Sequence, residues 1–410
     1  MVAPLSAVAA QTPSPPGRGF ASRPLTVVQL LPRLQAGGVE CGTLETARAL
    51  VAAGHRAVVV SETGRLVDEL RAVGGEHIDW PVGRKSPTTL ALLPRLRRLF
   101  RDRAVDIVHA RSRVPAWLAH LTLGTMSRAR RPRFLTTMHG IHSVSWYSEV
   151  MTRGEAVVAV SQAVRDHIAV AYPRCDLNRV TVVPNGVDHS RLPHGYMPSS
   201  QWRAAFDARY PETVGRKRVV IVGRLTRLKG YRDLFAVLSR LPHDWHAIVV
   251  GGANRDHQLT ALHAEAERLA IGGRPRVTFT GHRCDVREII AASSVLVSLS
   301  TRPESFGRTV LEALALGVPV VGYDHGGVGE ILSALFPAGR VLVGDVVGVA
   351  ERLQTIVDRN VRPQPVAGYD LHETCAHMLA LYERLAAEAP ADVGNAATDE
   401  RVPSFRLAAA

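Results

Sequence analysis

Cysteine is scarce in this 410-residue chain. Cys41, Cys175, Cys284 and Cys375 are scattered, with no C-x-x-C or other ligand spacing. That argues against a disulfide framework and against a zinc site. A reducing, cytosolic setting is the simplest expectation. No apolar run approaches the ~18 residues of a spanning helix. The first residues, "MVAPLSAVAAQTPSPPGRG", lack a basic segment and a long apolar core, so no secretory signal is expected. Aromatic residues make up 5% of the chain, and no base-stacking set stands out. There is no G-x-x-x-x-G-K-[ST] loop, which removes the commonest ATP-hydrolysing design. No D-x-D occurs anywhere, so a carboxylate-held metal on a diphosphate is not expected.

What the chain does contain is apolar residues, at 46%, and a net charge of +13 from 50 basic and 37 acidic residues. A length of 410 exceeds what one core usually serves, so two domains are expected. A positive balance attracts polyanions, whether nucleic acid, anionic membrane or phosphorylated ligands. An arginine-rich proteome accounts for the same charge equally well.

Residues 1–23 are rich in Pro, Gly, Ala and Ser and read as a disordered lead; the stretch from 389 to 410 reads as a flexible tail. Between them, short apolar runs alternate with helical patterns. The first set is 25–32, 55–61, 105–110, 133–140, 156–161 and 179–186. The second is 218–224, 246–252, 276–281, 294–300, 318–323 and 340–344. Such alternation means βαβ units and parallel sheets. A Pro- and Ser-containing break near 190–216 separates the sets. The expected architecture is α/β: Rossmann-like domains over 24–195 and 196–370, facing each other across a cleft that binds ligand at strand carboxyl ends.

Several motifs fall at those ends. "GRLTRLKG" (223–230) follows an apolar strand and offers Arg224 and Lys229, a pair suited to a diphosphate; two solvated surface cations are the plain alternative. "ESFGRTVLE" (304–312) holds two acids, Glu304 and Glu312. On one continuous helix they would lie ~80° apart in azimuth and about 12 Å apart along the axis. Pro303 and Gly307 instead predict a loop that turns helical near 307, with Gly317 as its C-terminal stop. Free N–H groups around Phe306 to Thr309 can then receive a phosphate, with an acid on either side. A helix start enriched in acids is the alternative. "QAGGVE" holds the Gly37–Gly38 turn, which lets a phosphate or sugar approach backbone but does not match G-x-G-x-x-G. "TTMHGIHS" puts His139 and His142 at a strand end, either facing the cleft or simply hydrogen-bonded in a loop. The basic stretches 94–103 and 127–133 offer cations to anionic lipid or a phosphorylated acceptor. Leu96, Leu99 and Phe100 equally fit the apolar face of an ordinary packing helix.

Together, "GRLTRLKG", the E-x7-E of "ESFGRTVLE", "ALGVPVVGYDHGGVGEI" and "VVPNGVD" resemble the retaining glycosyltransferases of family 4, with the GT-B fold, over about 25–388. The resemblance implies a nucleotide-sugar donor and a glycan or glycolipid acceptor, as in bacterial surface-glycan and lipopolysaccharide core synthesis. It implies that Arg224 and Lys229 bind the donor diphosphate, that Glu304 meets the sugar hydroxyls, and that Glu312 meets the ribose. Gly37, Gly38, Gly223, Phe306, Gly307, Gly326 and Gly327 would lie against sugar or phosphates, and His139 near the reacting carbon. The nucleobase would meet backbone around Gly281 to Arg283. Helix 371–388 would cross back to the first domain. No cofactor and no metal are implied. The setting is cytoplasmic, with peripheral contact at the inner membrane left open and no specific nucleic acid partner. A nucleotide-sugar epimerase on the same fold, or a non-catalytic polyanion-binding protein, are the alternatives.

Overall fold

The computed structural model describes residues 23–35, 37–252 and 256–388, with backbone alone for 256–259. Residues 1–22 of the lead and the tail from 389 lie outside the described residues. Two parallel sheets organise the rest. The first has seven strands: β1 (Thr26–Arg33), β2 (Arg56–Glu62), β3 (Glu76–Asp79), β4 (Ile107–Ala110), β5 (Arg133–Met138), β6 (Ala156–Ala159) and β7 (Val180–Val182). Their order is β3-β2-β1-β4-β5-β6-β7. The second has β8 (Lys217–Val222), β9 (Trp245–Val250), β10 (Val277–Gly281), β11 (Val295–Ser298), β12 (Val320–Tyr323) and β13 (Arg340–Val341), ordered β10-β9-β8-β11-β12-β13. This is the α/β architecture of two Rossmann-like domains.

The strands are valine- and isoleucine-rich because helices cover both faces of a parallel sheet. β9 is buried along its whole length. β4 pairs with β1 in the register Val28↔Val108 and Gln29↔His109, and β11 pairs with β8 as Val219↔Val295. Each sheet therefore reverses its winding beside its first strand, at β1/β4 and at β8/β11. A crevice opens at the carboxyl ends of such a pair.

Two differences from the sequence reading have clear causes. β3 was not expected, because "EHID" is a short polar strand at a sheet edge, bonded only to β2. β13 stops at Val341 rather than running to 344. Its partner offers only the pairs Gly322↔Arg340 and Tyr323↔Val341, and Leu342 and Val343 stand exposed at 74% and 48%.

The chain passes between domains twice, and the two crossings bond to each other. Val187 N–H donates to the Tyr369 carbonyl (2.8 Å), and Leu371 N–H donates to the Val187 carbonyl (3.0 Å). Residues after 188 already lie on the second domain, where Gly195 N–H reaches the Leu316 carbonyl. The last helix, Leu371–Ala387, starts at Asp370, whose carboxylate accepts from the His372 and Glu373 amides. Its Met378, Leu381, Tyr382 and Leu385 join the core of the first domain with Leu31, Leu44 and Leu50.

Candidate active site

The loop after β8 is drawn tight by glycines. Gly223 has φ +153°, and a Cβ on neighbouring Gly251 (φ +147°) would meet the Gly223 carbonyl at 1.9 Å. Only hydrogen atoms fit there. The Tyr231 hydroxyl donates to the Gly223 carbonyl at 3.0 Å and fixes the loop from behind. Arg224 is exposed, and its side chain has no hydrogen bond or ion pair among the described residues. Lys229 Nζ turns inward to Glu304 Oε1 at 2.7 Å. The Ser300 hydroxyl donates to the same carboxylate oxygen. So the two expected cations differ: one is free, the other is held against an expected sugar contact.

Glu304 sits on the loop between β11 and the helix Arg308–Ala315. Gly307 caps that helix with φ +105°, a left-handed conformation that a side chain would resist. At its far end Val318 N–H bonds the Ala313 carbonyl and Gly317 N–H the Leu314 carbonyl, with Gly317 at φ +80°. That is a Schellman stop. Gly326 and Gly327 open the next helix, Gly326–Leu335, and press on the Glu304–Phe306 backbone: Gly327 N–H donates to the Glu304 carbonyl at 2.8 Å. His325 Nε2 sits 2.8 Å from the Ser300 carbonyl. Phe306 is buried at 4% exposure. Two helix N-termini and three glycines thus converge on the Glu304–Gly307 loop, leaving amide N–H groups and little side-chain bulk, as an anion requires.

Glu312 lies one turn into the helix, its side chain 28% exposed. Burial pushes its carboxyl above the usual carboxylate range; Arg308, with Nε 4.0 Å away, pulls it back, and Glu45 adds to the rise.

The first domain supplies the opposite wall. Gly37 caps the helix Gly38–Ala52 in an extended conformation, and Gly38 follows with Arg308 lying over it. His139 ends β5. Its carbonyl accepts from the Ser305 hydroxyl at 2.6 Å, while its Nε2 lies 3.4 Å from Arg111 Nη1. A guanidinium can only donate, so Nε2 accepts and the ring proton rests on Nδ1. Burial first, then the fields of Arg111 and Arg308, hold His139 well below the usual histidine range, and it stays neutral. His142 is lowered to about 4, by burial and then by Arg113, and its carbonyl faces His167 Nε2 at 3.1 Å.

Three features here were not singled out in the sequence. Arg308 reaches across the cleft to form a two-point ion pair with Glu45, at 2.6 and 3.1 Å. Burial opposes its charge, but the bond and field of Glu45, helped by Glu312, hold the guanidinium above its usual range. Glu330 accepts from the Gln162 and Ala163 amides of the other domain (3.2 and 3.1 Å). Arg111 is buried at 5% exposure among Gln29, Thr46 and His139. A glutamine inside an apolar strand was the one readable signal for the last. Among the described residues, no group of three or more His, Cys, Asp or Glu stands together as metal ligands, and no helix is long and apolar enough to cross a membrane.

Residues 36–191 match the model of Glycosyltransferase Family 4, and residues 216–359 that of Glycosyl transferases group 1. The glycogen synthase of Mycobacterium tuberculosis is 26% identical over 80% of this chain and 84% of its own. The lipopolysaccharide core biosynthesis mannosyltransferase LpsB of Rhizobium meliloti is 29% identical over 62% and 68%. The alpha-maltose-1-phosphate synthase of Mycolicibacterium smegmatis is 31% identical over 50% of this chain, which spans about half of that relative (53%). Anabaena HepE in complex with UDP-glucose superposes with a TM-score of 0.70 at 20% identity, covering 89% of this chain and 95% of that one. The protein is a glycosyltransferase of the GT-B fold. Its first domain carries the family 4 match and its second the group 1 match.

Proposed function

We propose that the protein transfers a hexose, with retention, from a nucleotide sugar to a hydroxyl of a bacterial surface glycan or glycolipid. The observation that carries this is the grouping of Arg224, the Lys229–Glu304 pair and the Gly307 helix N-terminus around one glycine-lined crevice at the β8/β11 reversal. Breaking the bond between the anomeric carbon and the β-phosphate oxygen leaves the electron pair on the diphosphate. Arg224, Lys229 and the helix N–H groups stabilise that charge where it develops. The acceptor oxygen bonds the anomeric carbon and its proton passes to the departing phosphate oxygen. A protein base is not required, which fits the pairing of Glu304 with Lys229 and of Glu45 with Arg308. Glu304 clamps the sugar hydroxyls and Glu312 the ribose. HepE binds UDP-glucose, so a UDP-sugar is the first donor to test. LpsB and the basic face of the first domain favour a surface-glycan acceptor. On the helix Leu93–Asp102, Leu96, Leu99 and Phe100 are buried while Arg95, Arg97, Arg98 and Arg101 are exposed. The reaction needs no metal.

The test is nucleotide release with acceptor present, in Glu304→Ala, Arg224→Ala and Lys229→Ala. A loss of about 100-fold or more in kcat/KM is expected for Lys229→Ala and Glu304→Ala. Near wild-type rates in all three sink the assignment. Donor conversion without acceptor identifies an epimerase instead. Thermal stabilisation by UDP-, GDP- and ADP-sugars, at about 2.7 kcal/mol for a ligand at 100 times its Kd, selects the donor.

A further inference from the structure

Two arginines approach one carboxylate, and one of them bonds it, where the Gly37–Gly38 turn meets the Gly307 loop. Arg308 is the first residue of its helix, beside the N–H groups that face the crevice. Its side chain leaves its own domain and lies over Gly38, where an added Cβ would stand 3.4 Å from Arg308 Cδ. It ends on both oxygens of Glu45. Arg111 comes in from behind. Its bonds go to neutral groups: the Gln29 side-chain oxygen Oε1 and the Thr46 hydroxyl, each at 2.8 Å, and His139 Nε2 at 3.4 Å. All three charges close on one point. An added Cβ on Gly42 would stand 3.8 Å from Arg111 Nη1, 3.9 Å from Arg308 Nη1 and 3.9 Å from Glu45 Oε2.

Two guanidinium groups, permanently positive, and two acids meet there, for Glu312 Oε1 lies 4.0 Å from Arg308 Nε. A guanidinium in a mostly dry place must be held by an anion. The geometry also says which kind. A two-point contact from one guanidinium is the contact a phosphate makes, because carboxylate and phosphate present the same pair of oxygens. Glu45 occupies the place of such an anion. Arg308 keeps a path to solvent, at 20% side-chain exposure, and starts from the residue next to Gly307.

We propose that Arg308 is a third cation of the diphosphate site, held by Glu45 at rest and transferred to the departing diphosphate when donor binds. This rests on the nucleotide-sugar reading above. Glu45 then stays within the field of Arg111. Arg308 would draw the first domain's Gly37–Gly38 turn and the second domain's helix onto the same phosphate.

A purely structural role for the ion pair predicts the opposite sign in one variant, which makes the test sharp. Inorganic pyrophosphate, UDP, GDP, ADP and the three monophosphates are titrated calorimetrically into the full chain, into Glu45→Gln and into Arg308→Ala. Removing the resting counter-ion should tighten pyrophosphate and the recognised nucleoside diphosphate by about 3- to 10-fold in Glu45→Gln. Arg308→Ala should weaken both by about tenfold or more, with monophosphates changed by less than about twofold. Weaker or unchanged diphosphate binding in Glu45→Gln would make the pair a domain latch and overturn the proposal. If Arg308→Ala does not fold, Glu45→Gln, which keeps the side-chain length, decides alone. Binding of diphosphate by the wild type with no effect of either variant refutes the role of Arg308 only. No diphosphate bound by the wild type refutes the donor reading as well.

Discussion

Gly327→Ala tests how tightly the donor crevice is built. A Cβ at Gly327 would stand 2.4 Å from Phe306 Cα, 2.5 Å from its carbonyl oxygen and 2.7 Å from its nitrogen, where ordinary contact starts at 3.4 Å. All three atoms are backbone, so no rotamer change relieves the overlap. The helix start or the Glu304–Phe306 loop must shift by about 1 Å, and a displacement of that size at a reacting site costs on the order of 100-fold. The loop cannot easily yield. Phe306 is buried behind it, Lys229 holds Glu304 in front, and the Gly327 amide is bonded to the Glu304 carbonyl. Overpacking of this kind should also cost about 1–3 kcal/mol in stability. The assay pairs kcat/KM for nucleotide release with a denaturant midpoint. Gly124→Ala is the control: Gly124 ends the helix Arg113–Gly124, and a Cβ there meets nothing within 4 Å. It should be neutral, or stabilise by up to about 0.5 kcal/mol. A Gly327→Ala enzyme with near wild-type kcat/KM and midpoint would refute the crevice geometry.

Two further predictions concern stability. Tyr382→Phe removes the hydroxyl lying 2.7 Å from His109 Nδ1, both groups being fully buried, and strands a ring nitrogen. It should cost about 1–3 kcal/mol in urea unfolding; a change under about 0.5 kcal/mol would mean the return helix does not depend on this bond. Acid should also weaken the fold. Burial, then the fields of nearby arginines, lowers His246 to about 4, and His120 and His142 are drawn down likewise. Their folded values lie below the unfolded one, so the unfolded chain takes up protons first. Stability is intact above about pH 6.5 and falls as pH drops toward 4. For the fully buried His246 alone the loss is roughly 3 kcal/mol. His246→Gln should flatten the slope of urea stability between pH 7 and 5, and an unchanged slope would count against the burial argument.

How much of this was readable in the chain follows from range. Twelve of the strands announce themselves because a buried parallel strand is a continuous apolar run. β3 does not, since an edge strand can be polar. The run from 340 to 344 misleads in the other direction, because apolarity does not guarantee a ladder partner. The donor-side motifs were equally local: Gly223 to Gly230 and Glu304 to Gly327 each work over short sequence distances. What escaped joins distant residues. Arg308 and Glu45 are 263 positions apart, and Ser305 and His139 are 166 apart. Nothing in either neighbourhood marks the partner. Only Gln29, a polar residue inside an apolar strand, hinted that a buried group such as Arg111 must be satisfied there.

The eight-residue spacing of the two glutamates takes its meaning from those distant contacts. Gly307, between them, turns loop into helix, so Glu304 faces Lys229 within its own domain while Glu312 shares the Arg308–Glu45 corner with the other. The residues between them also carry the domain contact. The Ser161 hydroxyl donates to the Ser305 carbonyl, the Ser305 hydroxyl donates to the His139 carbonyl, and Arg308 holds Glu45. Glu330, one turn beyond Gly326 and Gly327, sits at the N-terminus of the other domain's helix Gln162–Ala171, where a negative charge is favoured. The backbone that presents the crevice is therefore the backbone that touches the first domain. A loop pinned by Gly326 and Gly327 on one side and by His139 on the other has no slack to absorb a ligand. Any adjustment at the crevice must reach the domain contact, and any opening of the domains must first release Ser305, Arg308 and Glu330.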